Sequence, residues 1–315
     1  MNVAYLVLAH NNPAVLERSI RILSSGDCDF FIHIDRKSDL KQFSAIHADN
    51  IHFSDTRLPL YWGEFSLVQA TLLLLRSALA SPRTPDYCVL MSGTDFPLRS
   101  GRYVEAFLSA SQGLEFINVV KVPAPGKPLS RINTLRFPRS QPVRHLAGRA
   151  WAKLGLPGRD YRNYLGNFEP YSGSQWWALS REAGEYILEF IERNPRFVKF
   201  FENVFAADEA FFHTILANSP LQSRIRRNLV YEDWSAEGAH PAPISERHVA
   251  FFQQQNEVRV HDIYGEGETL FARKFSDANL GLVRQIEEMI RRKEAVLPGN
   301  EVCAGENRGA VKPQH

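Results

Sequence analysis

Between Phe205 and Leu216 the chain reads FAADEAFFHTIL, placing two adjacent carboxylates, Asp208 and Glu209, inside an apolar and aromatic run. Two uses fit that placement. With a helix starting at Asp208, that residue is a good N-cap and Glu209 opposes the helix dipole, a purely structural arrangement. Glu209 also lines up with Phe212 and Leu216 at i, i+3 and i+7, on a face expected to be buried. A carboxylate kept partly dry at a helix N-terminus stays ionised with few water competitors, as a general base for a hydroxyl group must.

Other charged residues sit where apolar runs end. Asp35 closes FFIHIDRK, His10 follows AYLVLA, and Asp95 lies in the polar loop SGTDFPL after YCVLM. In LFARKFS, Arg273 and Lys274 stand between apolar neighbours and either approach a cleft or guard a strand edge with charge. On these residues alone the edge reading is favoured.

The elements that must position these groups follow from periodicity. Val3 to Leu98 reads as β-α-β-β-α-β, which implies a mainly parallel sheet with ligands beyond the carboxyl ends of its strands. His10, Asp35 and Asp95 all fall at such ends. From about 120 to 166 the chain is rich in Pro, Arg and Gly and reads as a basic surface insertion. GSQWWALSRE then gives a short strand and a helix capped by Ser180, followed by the DEAFFHTIL helix and a strand at NLVYEDWS. Polar and aperiodic, residues 297–315 are expected to be a disordered tail after one domain spanning 1–296.

Composition excludes several classes. With 315 residues, 44% hydrophobic, 23% charged and a net charge of +2, the chain is an ordinary globular one with no overall pull toward nucleic acid. Cys28, Cys88 and Cys303 are too few and scattered for a disulfide framework or a metal spacing, so a reducing compartment is expected. The start reads as a first strand, not a leader, and the longest apolar stretch, LVQATLLLLRSALA, is broken by Gln69 and Arg76. No G-x-G-x-x-G, G-x4-G-K-[ST], H-E-x-x-H or G-x-S-x-G occurs.

Taken in order, AYLVLAHNNP, FIHIDRKSD, WGEFSLVQATLLLL, YCVLMSGTDFPL, GSQWWALSRE, ADEAFFHTIL, EDWS with HP, and LFARKF resemble the core-2/I-branching glycosyltransferases, family 14, which include peptide O-xylosyltransferases. The resemblance implies an α/β fold of GT-A type and an inverting transfer from a UDP-sugar, with no divalent metal and no other cofactor required. The absence of a D-x-D after a mid-domain strand agrees. It implies a donor-binding half over about 1–120 and an acceptor and catalytic half over 167–296.

By the same resemblance Glu209 matches the catalytic base and Lys274 a cation for the donor diphosphate, with Arg273 taken over Arg259 as the second. His10 and Asp35 match the nucleotide site, and Asp95, with Trp176 and Asp208, the donor and acceptor loops. Trp62, Trp176 and Trp177 either stack on sugars or fill the core, and on a strand one of Trp176 and Trp177 is expected to face inward and the other outward. GlcNAc is the first donor sugar expected and xylose the next, with a glycan or lipid-linked saccharide as acceptor and no nucleic-acid partner. The expected setting is the cytoplasm, with room for peripheral contact at the inner face of the membrane through the basic insertion. A UDP-sugar or glycan-binding module without turnover is the alternative.

Overall fold

Two seven-residue, largely apolar runs form the adjacent strands Val3–Ala9 (β1) and Cys28–Ile34 (β2), the second carrying Asp29 and His33, and every residue in both is buried because helices cover both faces of the sheet. The computed structural model describes residues 1–139, 142–154, 158–235, 238 and 240–296, so the tail 297–315 lies outside the described residues. Five further strands complete the main sheet: Ile51–Phe53 (β3), Tyr87–Ser92 (β4), Glu115–Ile117 (β5), Trp177–Ser180 (β6) and Ile225–Arg226 (β7). Their order is β7-β5-β6-β4-β1-β2-β3. β6 runs antiparallel to β4 and β5, while the remaining pairings are parallel. The expected mixed α/β fold with a mainly parallel central sheet is therefore the one observed.

Helix α1 (Pro13–Leu23) opens on proline, whose missing N–H costs nothing in a first turn. Helix α2 (Ser66–Leu79) packs on β1 and β2 and against α3 (Arg181–Arg193), which in turn touches α4 (Phe211–Ala217). Ser180 caps α3 as its sequence suggests, its side chain accepting from the Ala183 N–H at 3.2 Å.

A second, three-stranded sheet carries Phe271–Arg273 between Val230–Glu232 and Phe96–Pro97. This corrects the edge reading of LFARKF. Both sides of the strand are paired, and Phe271, Ala272 and Arg273 are all buried. Beside it, helices Glu246–Gln254 and Leu280–Val296 close a smaller core around Phe96, Phe252, Phe275 and Ile286. The expectation of one inward and one outward tryptophan is corrected too: both Trp176 and Trp177 are buried, Trp177 edge-on to Phe212 and Trp176 beneath the Arg273 guanidinium.

Candidate active site

The carboxyl ends of β1, β2 and β4 meet at one edge of the sheet. There the Asp35 N–H donates to the Ala9 carbonyl at 2.8 Å, and the Gly93 N–H to Leu8 at 2.9 Å. Asp35 is buried; its carboxylate takes the Lys37 backbone N–H at 2.9 Å, the Leu60 N–H at 3.3 Å and the Lys37 ammonium at 3.2 Å. It is a braced acceptor, not a solvated strand end. His10 lies exposed at the end of β1. Displaced water lowers its imidazole pKa, and Lys274 and Lys37 add to that against the pull of Asp35. His10, Asp35 and Lys274 thus share one electrostatic field.

Asp95 is fully buried, taking the Ser92 N–H at 2.8 Å and the Arg273 Nε at 2.9 Å. Burial nevertheless lifts its pKa to about 6, the nearby Arg273 charge opposing the shift. Strand register places Glu232 opposite Arg273, and the guanidinium reaches it at 3.2 Å while lying 4.4 Å over the Trp176 ring. Arg273 is thereby neutralised twice. Its neighbour Lys274 is half-buried, and among the described residues its ammonium has no hydrogen-bond or ion-pair partner. Desolvation lowers its pKa, with Arg273 adding to the effect.

Glu209 is reached through a different local structure from the one expected. Ala206 adopts a left-handed backbone (φ 53°), a tight 3-10 turn covers Ala207–Glu209, and α4 starts only at Phe211. Asp208 is therefore not the N-cap of that helix, and Ala210, which is, makes no side-chain cap. The Asp208 carboxyl instead points inward, buried, with Oδ1 lacking a partner among the described residues. Burial, reinforced by the charge of Glu209, raises its pKa to about 7.

The Glu209 carbonyl accepts the Gly173 N–H and the Ser172 hydroxyl, both at 2.8 Å. Only glycine fits at 173, since a Cβ there would stand 1.7 Å from the Asn118 carbonyl oxygen. The Glu209 carboxylate pairs with the Lys127 ammonium and, at 2.9 Å, with Arg131. Both cations come from the basic insertion, so that segment is not only a surface excursion. Neither was singled out in the sequence, where the density of basic residues over 120–166 was the only signal. Tyr264 belongs to the same neighbourhood, its phenol pushed up to about 12 by burial and then by Glu209.

One relay joins the two centres. Ser172 and Gly173 hold Glu209, the adjacent Ser174 hydroxyl donates to Glu232 at 3.2 Å, and Glu232 pairs with Arg273, next to Lys274. The carboxylate of Glu209 is held by Lys127 and Arg131, not by Lys274. Beside it runs a groove of about 370 Å³ lined by Trp62, Arg136, Phe137, Arg139, Lys153 and Phe205. Trp62 meets Phe205 edge-on at 5.3 Å and His240 at 5.5 Å, and His240 lies in the field of Lys274 and Arg273. Among the described residues, no group of three or more His, Cys, Asp or Glu is placed to hold a metal ion.

The family model described as Core-2/I-Branching enzyme matches residues 3–255. Among curated proteins, xylosyltransferase 2 and xylosyltransferase 1 of Rattus norvegicus are each 26% identical over 75% of this chain. The matched regions cover 27% and 28% of those proteins, so the chain spans about a quarter of the length of the curated relatives it matches. Among solved structures, the galactosyltransferase LgtC in complex with donor and acceptor sugar analogs aligns over 91% of this chain and 95% of its own, at 10% identity and a TM-score of 0.37. That likeness is too slight to argue from.

Proposed function

Since the chain belongs to the Core-2/I-Branching enzyme family, we propose that it moves a sugar from a UDP-sugar to a hydroxyl group of a glycan acceptor, inverting the anomeric configuration. The observation that carries this reading is the pairing of an oriented carboxylate, Glu209, beside an aromatic-lined groove with an unpartnered, half-buried cation, Lys274, at the other end of the relay. Glu209 takes the proton of the acceptor hydroxyl as its oxygen bonds to the anomeric carbon. The bond from that carbon to the diphosphate oxygen breaks, and UDP leaves with the electron pair.

Lys274 stabilises the charge that develops on the leaving diphosphate, which is the part a divalent metal plays in other transferases. Arg273, already paired with Asp95 and Glu232, acts by fixing the end of the strand that Lys274 follows. Asp35 and His10 form the floor for the nucleoside. The xylosyltransferase relatives support UDP-xylose as the first donor to try, ahead of UDP-GlcNAc.

The test is UDP release from a panel of UDP-sugars in the presence of EDTA, comparing the wild type with Glu209→Gln. Donor-selective release that falls about a thousandfold in the variant supports the reading. Release that needs an added divalent cation would remove its metal-independent part, and full activity in Glu209→Gln would remove the base.

A further inference from the structure

The basic insertion has a second face that the site does not use. Helix Pro142–Lys153 turns His145 and Gly148 toward the groove, and the His145 Nδ1 lies 2.8 Å from the Phe137 carbonyl oxygen. On the other side Val143, Leu146, Ala150 and Leu154 follow one another at i, i+3, i+7 and i+11, a single stripe about 16 Å long. Val143 is 80% exposed, Leu146 68% and Leu154 74%, three of the most exposed large apolar side chains among the described residues.

Basic residues accompany the stripe. Arg144 and Lys153 are exposed on the same helix, and Arg136 and Arg139 are exposed on the segment leading into it, Lys153, Arg136 and Arg139 also lining the rim of the groove. From Arg136 to Arg162 the sequence holds seven Arg or Lys (136, 139, 144, 149, 153, 159 and 162) against one acid, Asp160. An exposed apolar stripe between basic residues matches a bilayer interface bearing anionic headgroups. The apolar side chains enter the acyl boundary while the cations stay at headgroup level. A protein partner would have to bring both an apolar ridge and an acidic rim; a lipid surface supplies both by composition.

We infer that helix Pro142–Lys153 docks this protein on an anionic lipid surface. Docked in this way, the helix keeps the groove on its inner side close to the membrane, and a saccharide carried on a lipid becomes the acceptor to expect. That last clause rests on the transferase reading; the docking does not. Among the described residues no helix is long and apolar enough to cross a bilayer, so the contact is a surface one.

The test is co-sedimentation with vesicles of phosphatidylcholine alone and of phosphatidylcholine mixed with phosphatidylglycerol, with neither donor nor acceptor present. The wild type is expected to bind the anionic vesicles at least about tenfold better than the neutral ones, with binding falling as salt rises. Val143→Ser, Leu146→Ser and Leu154→Ser together are expected to cut that binding about tenfold with an unchanged thermal midpoint, because all three side chains already face solvent. Equal binding to both vesicle types, or undiminished binding by the triple variant, overturns the inference. So does a wild type that is dimeric by light scattering and a triple variant that is monomeric, which would make the stripe a contact between copies of this chain. Because the assay contains no sugar nucleotide, its outcome is separate from that of the UDP-release experiment.

Discussion

At the Arg273 centre every charge is fixed from a strand or a strand end. Glu232 and Arg273 are register partners, and Asp95 lies one residue before the strand that pairs with Ala272. At the Glu209 centre the carboxylate hangs from a short 3-10 turn and is gripped by Lys127 and Arg131, residues of an insertion 82 and 78 positions away in the chain. The first centre is set by backbone pairing, and the second by side chains that loops deliver. A sheet holds one geometry, whereas loops vary readily between proteins; under the proposed function the first would serve the diphosphate common to all UDP-sugars and the second an acceptor that differs from one enzyme to the next.

The largest effect is expected from breaking the sheet-borne side at Lys274, whose ammonium has no partner among the described residues. Lys274→Ala should lower kcat by about a hundredfold to a thousandfold, the loss seen when one donor to a developing negative charge is removed. The thermal midpoint should move by no more than about 2 °C, because no carboxylate is left stranded when the ammonium goes. Steady-state UDP release and a thermal scan on the same preparation check both halves. Full turnover in Lys274→Ala would move the diphosphate site elsewhere and dissolve the contrast between the two centres.

Arg273→Met asks whether the neighbouring cation is structural instead. Its removal leaves Asp95, which is fully buried, and Glu232 without their shared partner, at a cost of about 3 kcal/mol at neutral pH. The pH dependence identifies the cause. Asp95 already has a pKa raised to about 6 with Arg273 beside it, and without that charge it holds its proton to still higher pH. The deficit in denaturant stability should therefore shrink as pH falls toward 5, where Asp95 is neutral. A deficit that is flat with pH would mean the lost packing on Trp176, 4.4 Å away, is what matters.

What was legible in the sequence divides along the same line. The run VAYLVLA is apolar throughout and CDFFIHI is interrupted only by Asp29 and His33, so β1 and β2, and with them the places of His10 and Asp35, follow from local pattern. Ser180 before a periodic segment is likewise a local signal, and the cap is there. The edge reading of LFARKF failed because its second neighbour, Phe96–Pro97, lies far upstream, and no window around Arg273 contains it. The N-cap at Asp208 failed because the left-handed Ala206 and the turn after it bury that side chain before the helix begins, a choice made by tertiary packing. Lys127 and Arg131 were invisible for the same reason: a contact across some eighty residues leaves no trace in spacing.

The smallest expected effect concerns Asp208, the buried neighbour of the loop-borne carboxylate Glu209. Its folded pKa is raised to about 7, whereas an unfolded aspartate titrates near its model value of 3.8. Between those values the folded protein holds a proton that the unfolded chain has released. The contribution of this group to stability is therefore present at low pH, declines as pH rises from about 4 to 7, and levels off above that. Asp208→Asn cannot ionise, so it should flatten this decline and be more stable than the wild type at pH 8, by about 1 kcal/mol. The gain stays modest because the amide inherits a site where one oxygen has no partner. Urea midpoints for both proteins across pH 5 to 8 measure it. Parallel curves would mean that Asp208 is ionised in the folded state, with Lys127 compensating two carboxylates instead of one, and the loop-borne centre would then be as firmly fixed by charge as the sheet-borne one.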